Sequence, residues 1–574
     1  MAAVFIGRAF FGFDWSDESF YLALPYRFVL GDRPFLDSWD AHQLWALLMV
    51  PAVKGYLLLF GSMDGAILFF RIAFILAQGL VSVFVYRTVL RVSQRRFPAL
   101  ISASLFFAFV PSSISAFSYM TFSSCLLMLA ALLSISVMGK EPPRHLRLRS
   151  FLAGFCFAVS CFSYPLFVAA LPCYLTLPLF LAPIQTKGKH GKAALALSFL
   201  AGCAAIWAVM GIYLTVSVGF SPALKGVAGA FAVDSFYRLA ESTSLFLKDY
   251  YHVVFLALLQ VTLLFCILLG RLAGLPAAAG SVLHFLVRLF LPLCVVLQVI
   301  FLLAQDEGAL PSVSKLNQIQ ACAGFWPLIL LAQRPAKRSA AYLAAFYLPA
   351  NLMAWAAYVI DGNGITGASF ILNLAVVAAF LMIWEFYQED APELPALSSL
   401  HWPRLFQGAA AAFSVFIVLA CAGLRVQAVY RDSRITLLDA RISTGPAKGI
   451  YTTAGSCVSY ESIVKDLAEE GGKRRTAFSE LLPFGYLCLQ ESPASPTVWR
   501  LPLPGGEMEE YLELHPEKRP DVLFVMKTGY GYGNGGELTP KEAEAVMNGP
   551  AVREEFSFAY SYQRDEAAEN DNIN

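Results

Sequence analysis

Long apolar stretches alternate with short polar segments over the first three quarters of the chain. An α-helix needs about 20 apolar residues to cross the hydrocarbon layer of a bilayer, and most of these stretches approach that length. The pattern predicts membrane spans at Ala66–Leu90, Ala99–Phe117, Tyr119–Met138, Ala193–Val218, Val253–Gly270, Phe285–Leu303, Ile319–Leu331, Ala341–Ile360, Ser369–Phe386 and Phe406–Leu424.

A further apolar stretch, Phe151–Ile184, is interrupted by Pro165, Pro172 and Pro178. Because proline removes a backbone hydrogen bond of a helix, the stretch is either one kinked span with an extra fragment or two short spans. Basic loops flank it on both sides, and a stretch whose two flanks share one side of the membrane crosses an even number of times. The charges therefore favour two short spans.

Four loops are rich in lysine and arginine, which is typical of the cytoplasmic side of a membrane: Arg91–Arg96, Lys140–Arg149, Lys187–Lys192 and Arg334–Arg338. The alternate loops are then extracytoplasmic: Ser112–Tyr119, Gly219–Tyr250, Gln305–Asn317 and Asp361–Ala368. The acidic segment Asp14–Asp64 and everything after Arg425 fall on the same outer side.

The composition supports an integral membrane protein, which we expect in a bacterial plasma membrane. Of the 574 residues, 57% are hydrophobic and only 14% are charged, against about 25% charged in soluble domains. No basic stripe is available to neutralise phosphates, so nucleic acid is an unsuitable partner. Most of the 11 cysteines lie in apolar segments and are interpreted as small packing residues. Cys457 and Cys488 lie in the polar C-terminal part and could pair there.

The two ends of the chain differ from the multi-span part, residues 65–424. Residues 1–13 are apolar but too short to cross, so they are predicted to be a truncated or stunted first span, and a cleaved signal peptide is disfavoured. Residues 425–564 are predicted to form a small soluble α/β domain, and residues 565–574 a disordered acidic tail.

Local patterns support an α/β fold for this C-terminal part. They predict a strand from Gly449, a helix at Glu461–Glu470, a buried strand from Asp521 to Met526, and a helix after the capping box Thr539–Glu542. The sequence Gly531–Gly536 matches G-x-G-x-x-G, but we interpret it as a flexible loop because the rest of a nucleotide-binding unit is missing.

The acidic pair Asp17-Glu18 is the strongest chemical signal in the chain. Carboxylates beside lipid are costly unless they have water, partners or a function. They lie in the outer segment 14–64, whose apolar piece Gln43–Phe60 is predicted to be an interfacial helix that does not cross. Arg71 enters the next span only five residues after Ala66, and its expected partners are Asp17, Glu18 or a lipid phosphate.

These features resemble the GT-C superfamily of membrane glycosyltransferases, in particular the branch of protein O-mannosyltransferases and lipid A aminoarabinose transferases. The resemblance rests on Asp17-Glu18 followed by Ser-Phe-Tyr in the first outer loop, on the surface helices of that loop, and on the parity of the spans. It implies a GT-C-like, α-helical polytopic membrane protein of about 12–13 spans with a small extracytoplasmic α/β domain.

The resemblance also implies an inverting transfer of a sugar from a polyprenyl-phosphate donor in the membrane to an extracytoplasmic glycan, lipid or protein acceptor. In that mechanism Asp17 is the general base and Glu18 a supporting carboxylate. Further candidates for binding substrate are Asp40, His42, Lys54 and Arg71, of which Lys54 and Arg71 would contact the phosphate.

Each of these residues also has a structural interpretation. Asp17 could be a helix N-cap, Asp40 and His42 a solvated loop pair, Lys54 an interface anchor, and Arg71 an ion-pair partner of Asp64 or Asp17. No cluster has the spacing of metal ligands, so we predict no metal and no cofactor beyond the lipid-linked sugar. Competing functions are a flippase or transporter for lipid-linked sugars, and a polysaccharide polymerase or ligase.

Overall fold

The computed structural model describes most of the chain, with gaps. The described residues are 1–136, 145–181, 188–231, 241–248, 277–306, 311–323, 326–327, 337–361, 364–388, 402–470, 474–499, 507–527, 539–548 and 551–564. The predicted span Val253–Gly270, the glycine-rich sequence Gly531–Gly536 and the predicted tail 565–574 lie outside the described residues.

The first three quarters of the chain are helical. The α-helices are Ala2–Arg8, Asp17–Val29, Gln43–Phe60, Ala66–Ser93, Arg96–Ala108, Tyr119–Ile135, Leu146–Ser160, Leu171–Thr176, Gly188–Val218, Phe220–Phe231, Ala277–Ala304, Ser312–Ala323, Lys337–Tyr342, Leu348–Asp361, Gly364–Ala368, Asn373–Gln388 and Trp402–Gln427. Among the described residues, seven helices are long and apolar enough to cross a membrane. The prediction of an α-helical multi-span membrane protein is therefore confirmed, while the total of about 12–13 spans stays a prediction.

The proline-interrupted stretch is broken into two helical pieces, as the charges predicted. Helix Leu146–Ser160 ends before Pro165, and irregular helix continues from Pro165 to Leu181. The first piece packs parallel to Gly188–Val218, because Ser150 near its start bonds to Leu195 and Phe162 just after its end contacts Trp207. Two successive parallel helices require the chain between them to return, which is the course that the two predicted short spans would follow, while the number of crossings stays a prediction.

Glycines allow this parallel helix pair to approach closely. A Cβ added to Gly154 would lie 1.9 Å from the carbonyl oxygen of Phe199, and one added to Gly202 would lie 2.0 Å from that of Phe151. Small residues at helix contacts are a common device in membranes, where packing replaces the hydrophobic effect as the force between helices.

The two ends of the helical part carry different loops. At one end, basic loops meet polar groups of the helix Asn373–Gln388, since Arg95 contacts Gln388 and Arg338 lies 3.7 Å from Glu385. At the other end, residues 111–120 and Gly367 line one cavity with the first outer loop, and the N–H of Ser112 donates to the side chain of Asn317. The side of the membrane on which each set of loops lies stays a prediction.

Helix Gln43–Phe60 is long and apolar enough to cross, but both of its ends contact segments that the charge pattern assigns to the outer side. Its start lies beside Ser163, to which His42 is hydrogen-bonded. Near its other end, Tyr56 donates to the carbonyl of Asp64, and Gly65 bonds to Gly445 of the C-terminal part. These contacts agree with a helix that lies along the interface.

The C-terminal part is an α/β domain, as predicted. Its strands are β1 Ala440–Arg441, β2 Tyr451–Thr452, β3 Thr476–Phe478, β4 Val522–Met526, β5 Ala551–Glu555 and β6 Ala559–Arg564, and its α-helices are Ala454–Glu470, Pro483–Tyr486, Glu507–Leu514 and Pro540–Met547. The larger sheet has the order β3-β4-β6-β5, with β3 and β4 parallel and the other pairs antiparallel. The predicted capping box Thr539–Glu542 is present, β4 is fully buried, and Cys457 and Cys488 are free thiols.

A buried arginine joins this domain to the outer loop. Arg27 is fully buried and uses all five of its N–H donors. Two ion pairs tie it to Asp32 at 2.8 Å and to Asp40 at 2.9 Å. Its other donors reach the backbone carbonyls of Asp37, Ser495 and Pro496. The domain is thereby fixed over the outer end of the helices.

Candidate active site

A cavity of about 660 Å³ lies where the outer loops meet the C-terminal domain. Its wall comes from the first outer loop, from residues 111–120, from Gly367, from the linker after the last span, and from residues 496–499. Its volume is within the range of about 300–1,000 Å³ typical of small-molecule sites. Among the described residues it joins segments that are hundreds of positions apart in the sequence.

Asp17 lies in the wall of this cavity, on the first turn of helix Asp17–Val29. Its carboxylate accepts a hydrogen bond from the phenol of Tyr430 and forms an ion pair with Arg431, whose Nη1 is 3.0 Å from Oδ2 and also donates to the hydroxyl oxygen of Ser16. The side chain is 17% exposed. Burial, and then the charge of Asp17, raise the pKa of Tyr430, so this phenol stays a donor at neutral pH.

The alternative interpretation of Asp17 as a helix N-cap does not hold, because Ser16 is the N-cap residue and the carboxylate of Asp14 accepts from the donors at the helix start. One oxygen of Asp14 accepts from the backbone N–H of Glu18 at 2.9 Å, and the other accepts from the N–H and hydroxyl of Ser16. These bonds satisfy donors that a helix start otherwise leaves unpaired. Burial, and then the nearby Asp17, raise the pKa of Asp14 to about 6.

A close backbone approach holds the acidic pair against the linker. Gly12 has φ +81°, and a Cβ there would lie 2.4 Å from a methyl group of Val429. The N–H of Gly12 bonds to Tyr451, and the N–H of Phe13 bonds to Asp432. This pairing brings Asp17 beside Tyr430 and Arg431.

Glu18 and Arg71 form a buried ion pair with each other. The guanidinium of Arg71 binds both carboxylate oxygens at 2.5 Å and also donates to the carbonyls of Ala9 and Gly12 at 2.7 Å. The pair lies beside a small void and outside the wall of the large cavity. Of the partners expected for Arg71, Glu18 is the one that binds it, and neither Asp17 nor Asp64 does.

Asp40 lines the cavity but its carboxylate is fully engaged in the joint between loop and domain. It accepts from Arg27, from the hydroxyls of Ser38 and Thr497, and from the N–H of Val498 at 3.1 Å. The interpretation of Asp40 as part of a solvated loop pair is therefore wrong, since its side chain is buried. It holds the wall in place.

His42 and Lys54 have different surroundings. His42 lines the cavity, stacks on Tyr119 at 3.8 Å between ring centroids, and places Nδ1 2.7 Å from the carbonyl oxygen of Ser163. Because a carbonyl only accepts, Nδ1 carries a proton. Lys54 is exposed on the interfacial helix and lies outside the cavity wall.

Several residues of the cavity wall were not predicted from the sequence, among them Trp39, Tyr430, Arg431 and Trp499. Tyr430 and Arg431 come shortly after the last span. Basic residues are rare on the outer side of membrane helices, so Arg431 could have been recognised as a candidate site residue from the sequence. The two tryptophans carried no comparable signal in a chain with 14% aromatic residues.

Among the described residues, one group has side chains close enough to hold a metal ion: Asp37, His515 and Glu517. The carboxylate of Asp37 already accepts from the N–H and from two guanidinium nitrogens of Arg33 at 2.7–3.0 Å. Because Arg33 already occupies the carboxylate of Asp37, this group suits an ion pair with arginine better than the binding of a metal ion. The predicted absence of a metal stays a prediction.

No protein-family model and no curated protein match the chain. Two crystal structures of the Archaeoglobus fulgidus oligosaccharyltransferase are similar in fold. The structure tethered with an acceptor peptide containing the NVT sequon is 12% identical, with a TM-score of 0.45. The match covers 99% of this chain and 74% of the oligosaccharyltransferase chain. The complex with zinc and sulfate is 13% identical, with a TM-score of 0.42, and the match covers 90% of this chain and 64% of the oligosaccharyltransferase chain. Similarity at this level assigns neither a family nor a substrate to the chain.

Proposed function

We propose that the protein is a membrane glycosyltransferase of the GT-C type, which transfers a sugar from a polyprenyl-phosphate donor to an extracytoplasmic acceptor with inversion. The observation that carries the proposal is the position of Asp17. Its carboxylate lies beside a guanidinium in the wall of a cavity large enough for a sugar, and every segment of that wall is one that the charge pattern assigns to the outer side.

Asp17 would act as the general base. It takes the proton from the acceptor hydroxyl while the hydroxyl oxygen forms a bond to the anomeric carbon. The bond between that carbon and the phosphate oxygen breaks, and its electron pair leaves with the polyprenyl phosphate. Attack opposite the leaving group inverts the configuration at the anomeric carbon.

Arg431 is the cation best placed for the departing phosphate. It is the arginine in the cavity wall, where it pairs with Asp17, while Arg71 with its partner Glu18 and Lys54 both lie outside that wall. A guanidinium can contact two phosphate oxygens at once. In this assignment Glu18 supports the site through Arg71, which fixes residues 9–12 beside the linker.

The flippase alternative has less support. A transporter binds its substrate near the middle of the membrane, between repeated halves. In the described residues, the carboxylates and guanidiniums of the cavity gather at one end of the helices instead. A polymerase or ligase would use the same chemistry and differs in its acceptor.

The test uses the full chain in liposomes with a radiolabelled polyprenyl-phosphate sugar and a lipid-extracted cell-envelope fraction as acceptor. We expect label to leave the lipid fraction with release of polyprenyl phosphate, which is measured whatever the acceptor. Movement of the labelled lipid between leaflets without any release would contradict the transferase and favour the flippase.

A further inference from the structure

The side of the cavity formed with the C-terminal domain carries two tryptophans, Trp39 from the outer loop and Trp499 from the domain. Trp39 is 39% exposed and Trp499 is half-buried. Phe20 and Tyr119 add further aromatic rings to the same wall. We name Trp39 and Trp499 together the tryptophan pair.

Each indole of the tryptophan pair packs against another aromatic ring. The N–H of Trp39 donates to the carbonyl of Pro496 at 2.7 Å, so the two segments that carry the indoles are bonded to each other. The ring of Trp39 packs edge-to-face with Tyr511 at 5.4 Å, and that of Trp499 packs edge-to-face with Phe20 at 5.0 Å. Rings fixed in advance lose little freedom when they bind a ligand.

Polar groups surround the pair within the same cavity. Asp17, His42 and Thr497 all line this wall. Flat aromatic faces next to hydrogen-bonding groups suit a ligand with one apolar face and polar edges. A pyranose has this form, because its C–H bonds point to one face, where they meet the negative face of an aromatic ring, and its hydroxyls point outward.

The wall does not suit the isoprenoid chain of the donor, which has no hydroxyls for these polar groups and belongs in the membrane. The tryptophan pair is bonded to the C-terminal domain, from which a water-soluble acceptor would approach. Arg431, on the linker after the last span, marks the phosphate end of the cavity in our assignment.

We propose that the tryptophan pair is the acceptor subsite and that it binds a pyranose unit, so the acceptor is a saccharide. This inference rests on the proposed function for the role of the site, because the bound sugar would present its hydroxyl to Asp17. The binding of a sugar can nevertheless be measured without any transfer.

The experiment is calorimetric titration of the purified full chain in nanodiscs with mannotriose, cellotriose and chitotriose as probes. We expect at least one trisaccharide to bind saturably. Trp39→Leu and Trp499→Leu should each weaken binding roughly 3- to 10-fold, which corresponds to the loss of one aromatic contact. Trp499→Tyr should restore binding, since it returns an aromatic face. Tyr213→Leu, which alters an exposed ring on another helix, is the control and should bind as the wild type does.

The outcomes separate this inference from the proposed function. No saturable binding of any trisaccharide up to about 10 mM, or wild-type affinity in both leucine variants, overturns the subsite. Transfer only to a peptide or lipid acceptor, with unchanged KM in both leucine variants, also overturns it and leaves the transferase standing. Trisaccharide binding that depends on the pair, without polyprenyl-phosphate release, supports the subsite and contradicts the transferase. If one leucine variant does not fold, as judged by its Tm, the affinities of the other leucine variant and of Trp499→Tyr still test the subsite.

Discussion

Asp17 and Glu18 are adjacent on one helix and have separate surroundings. Successive residues of an α-helix are rotated by about 100°, so Asp17 reaches the cavity and the linker, while Glu18 turns inward to Arg71. Only the first carboxylate is in contact with the space where a substrate could lie. The sequence identifies the acidic pair, but which carboxylate faces the cavity and which binds Arg71 depends on the orientation of the helix.

Asp17 and Arg431 should affect donor binding in opposite directions. Arg431→Gln removes the phosphate contact and should weaken binding of polyprenyl phosphate roughly 10-fold, as for loss of a charge-assisted hydrogen bond. Asp17→Asn removes the anion that holds Arg431 and repels phosphate, so binding should become tighter. Tryptophan fluorescence of the purified protein titrated with polyprenyl phosphate measures both. Equal affinity of Arg431→Gln and wild type would rule out Arg431 as the phosphate ligand.

Asp14 should make stability depend on pH. Its pKa is raised to about 6 in the folded protein, from 3.8, so the folded state favours the protonated form. Its contribution to stability is therefore present below about pH 4 and is lost as the pH rises through about 6, by at most roughly 3 kcal/mol. Asp14→Asn cannot titrate.

The Tm of wild type minus that of Asp14→Asn should therefore fall between pH 4.5 and pH 7.5. Asp64→Asn, an exposed carboxylate of the same segment, serves as control. A difference for Asp14→Asn that is constant over this range would show that Asp14 does not titrate there.

At the scale of elements, hydrophobic length predicted most of the described helices, while their direction across the membrane stays a prediction from loop charge. The contacts show that the chain reverses within Phe151–Ile184 and that the start of Gln43–Phe60 lies beside Ser163. The number of crossings and the interfacial position of Gln43–Phe60 stay predictions. The boundaries were less accurate. The helix expected from Ile319 begins at Ser312, because its first turns are polar and hydropathy alone does not detect them.

The contact between Leu146–Ser160 and Gly188–Val218 should be sensitive to a single methyl group. Gly202→Ala places a Cβ against the backbone of Phe151 and should destabilise the protein by about 1–3 kcal/mol, as overpacking does. Gly211→Ala on the same helix meets no atom within 4 Å and should be neutral or slightly stabilising. Thermal unfolding in detergent compares the two. Equal Tm values would mean that the helices do not approach as closely as described.

At the scale of the whole molecule, the C-terminal domain completes the cavity. The sequence predicted its class and several of its elements, but not that it supplies Trp499 and the partners of Asp40. Tyr430 and Asp17 are separated by 413 positions, and no local pattern in one sequence indicates which distant segments meet. Tyr430, Arg431 and Trp499 reach the site through such long-range contacts, which is why the sequence did not predict them.

Arg27 should control the docking of this domain. Arg27→Met removes the guanidinium from the buried carboxylates of Asp32 and Asp40, and although Lys518 still pairs with Asp32, removal of one member of a buried pair costs about 3–5 kcal/mol. We expect faster hydrogen exchange and proteolysis of the domain. Arg33→Met is the matched control, because Arg33 is half-exposed and surface pairs contribute little. Equal protection in both variants would show that Arg27 does not hold the domain.

The most direct test of the central claim compares Asp17→Asn with Asp64→Asn in sugar transfer from a polyprenyl-phosphate donor. Asparagine keeps the shape of aspartate but cannot accept a proton, so the rate with Asp17→Asn should fall by about 10²- to 10⁴-fold, the usual contribution of a general base. Asp64→Asn should transfer at the wild-type rate. A wild-type rate in Asp17→Asn would contradict the assignment of Asp17 as the catalytic base.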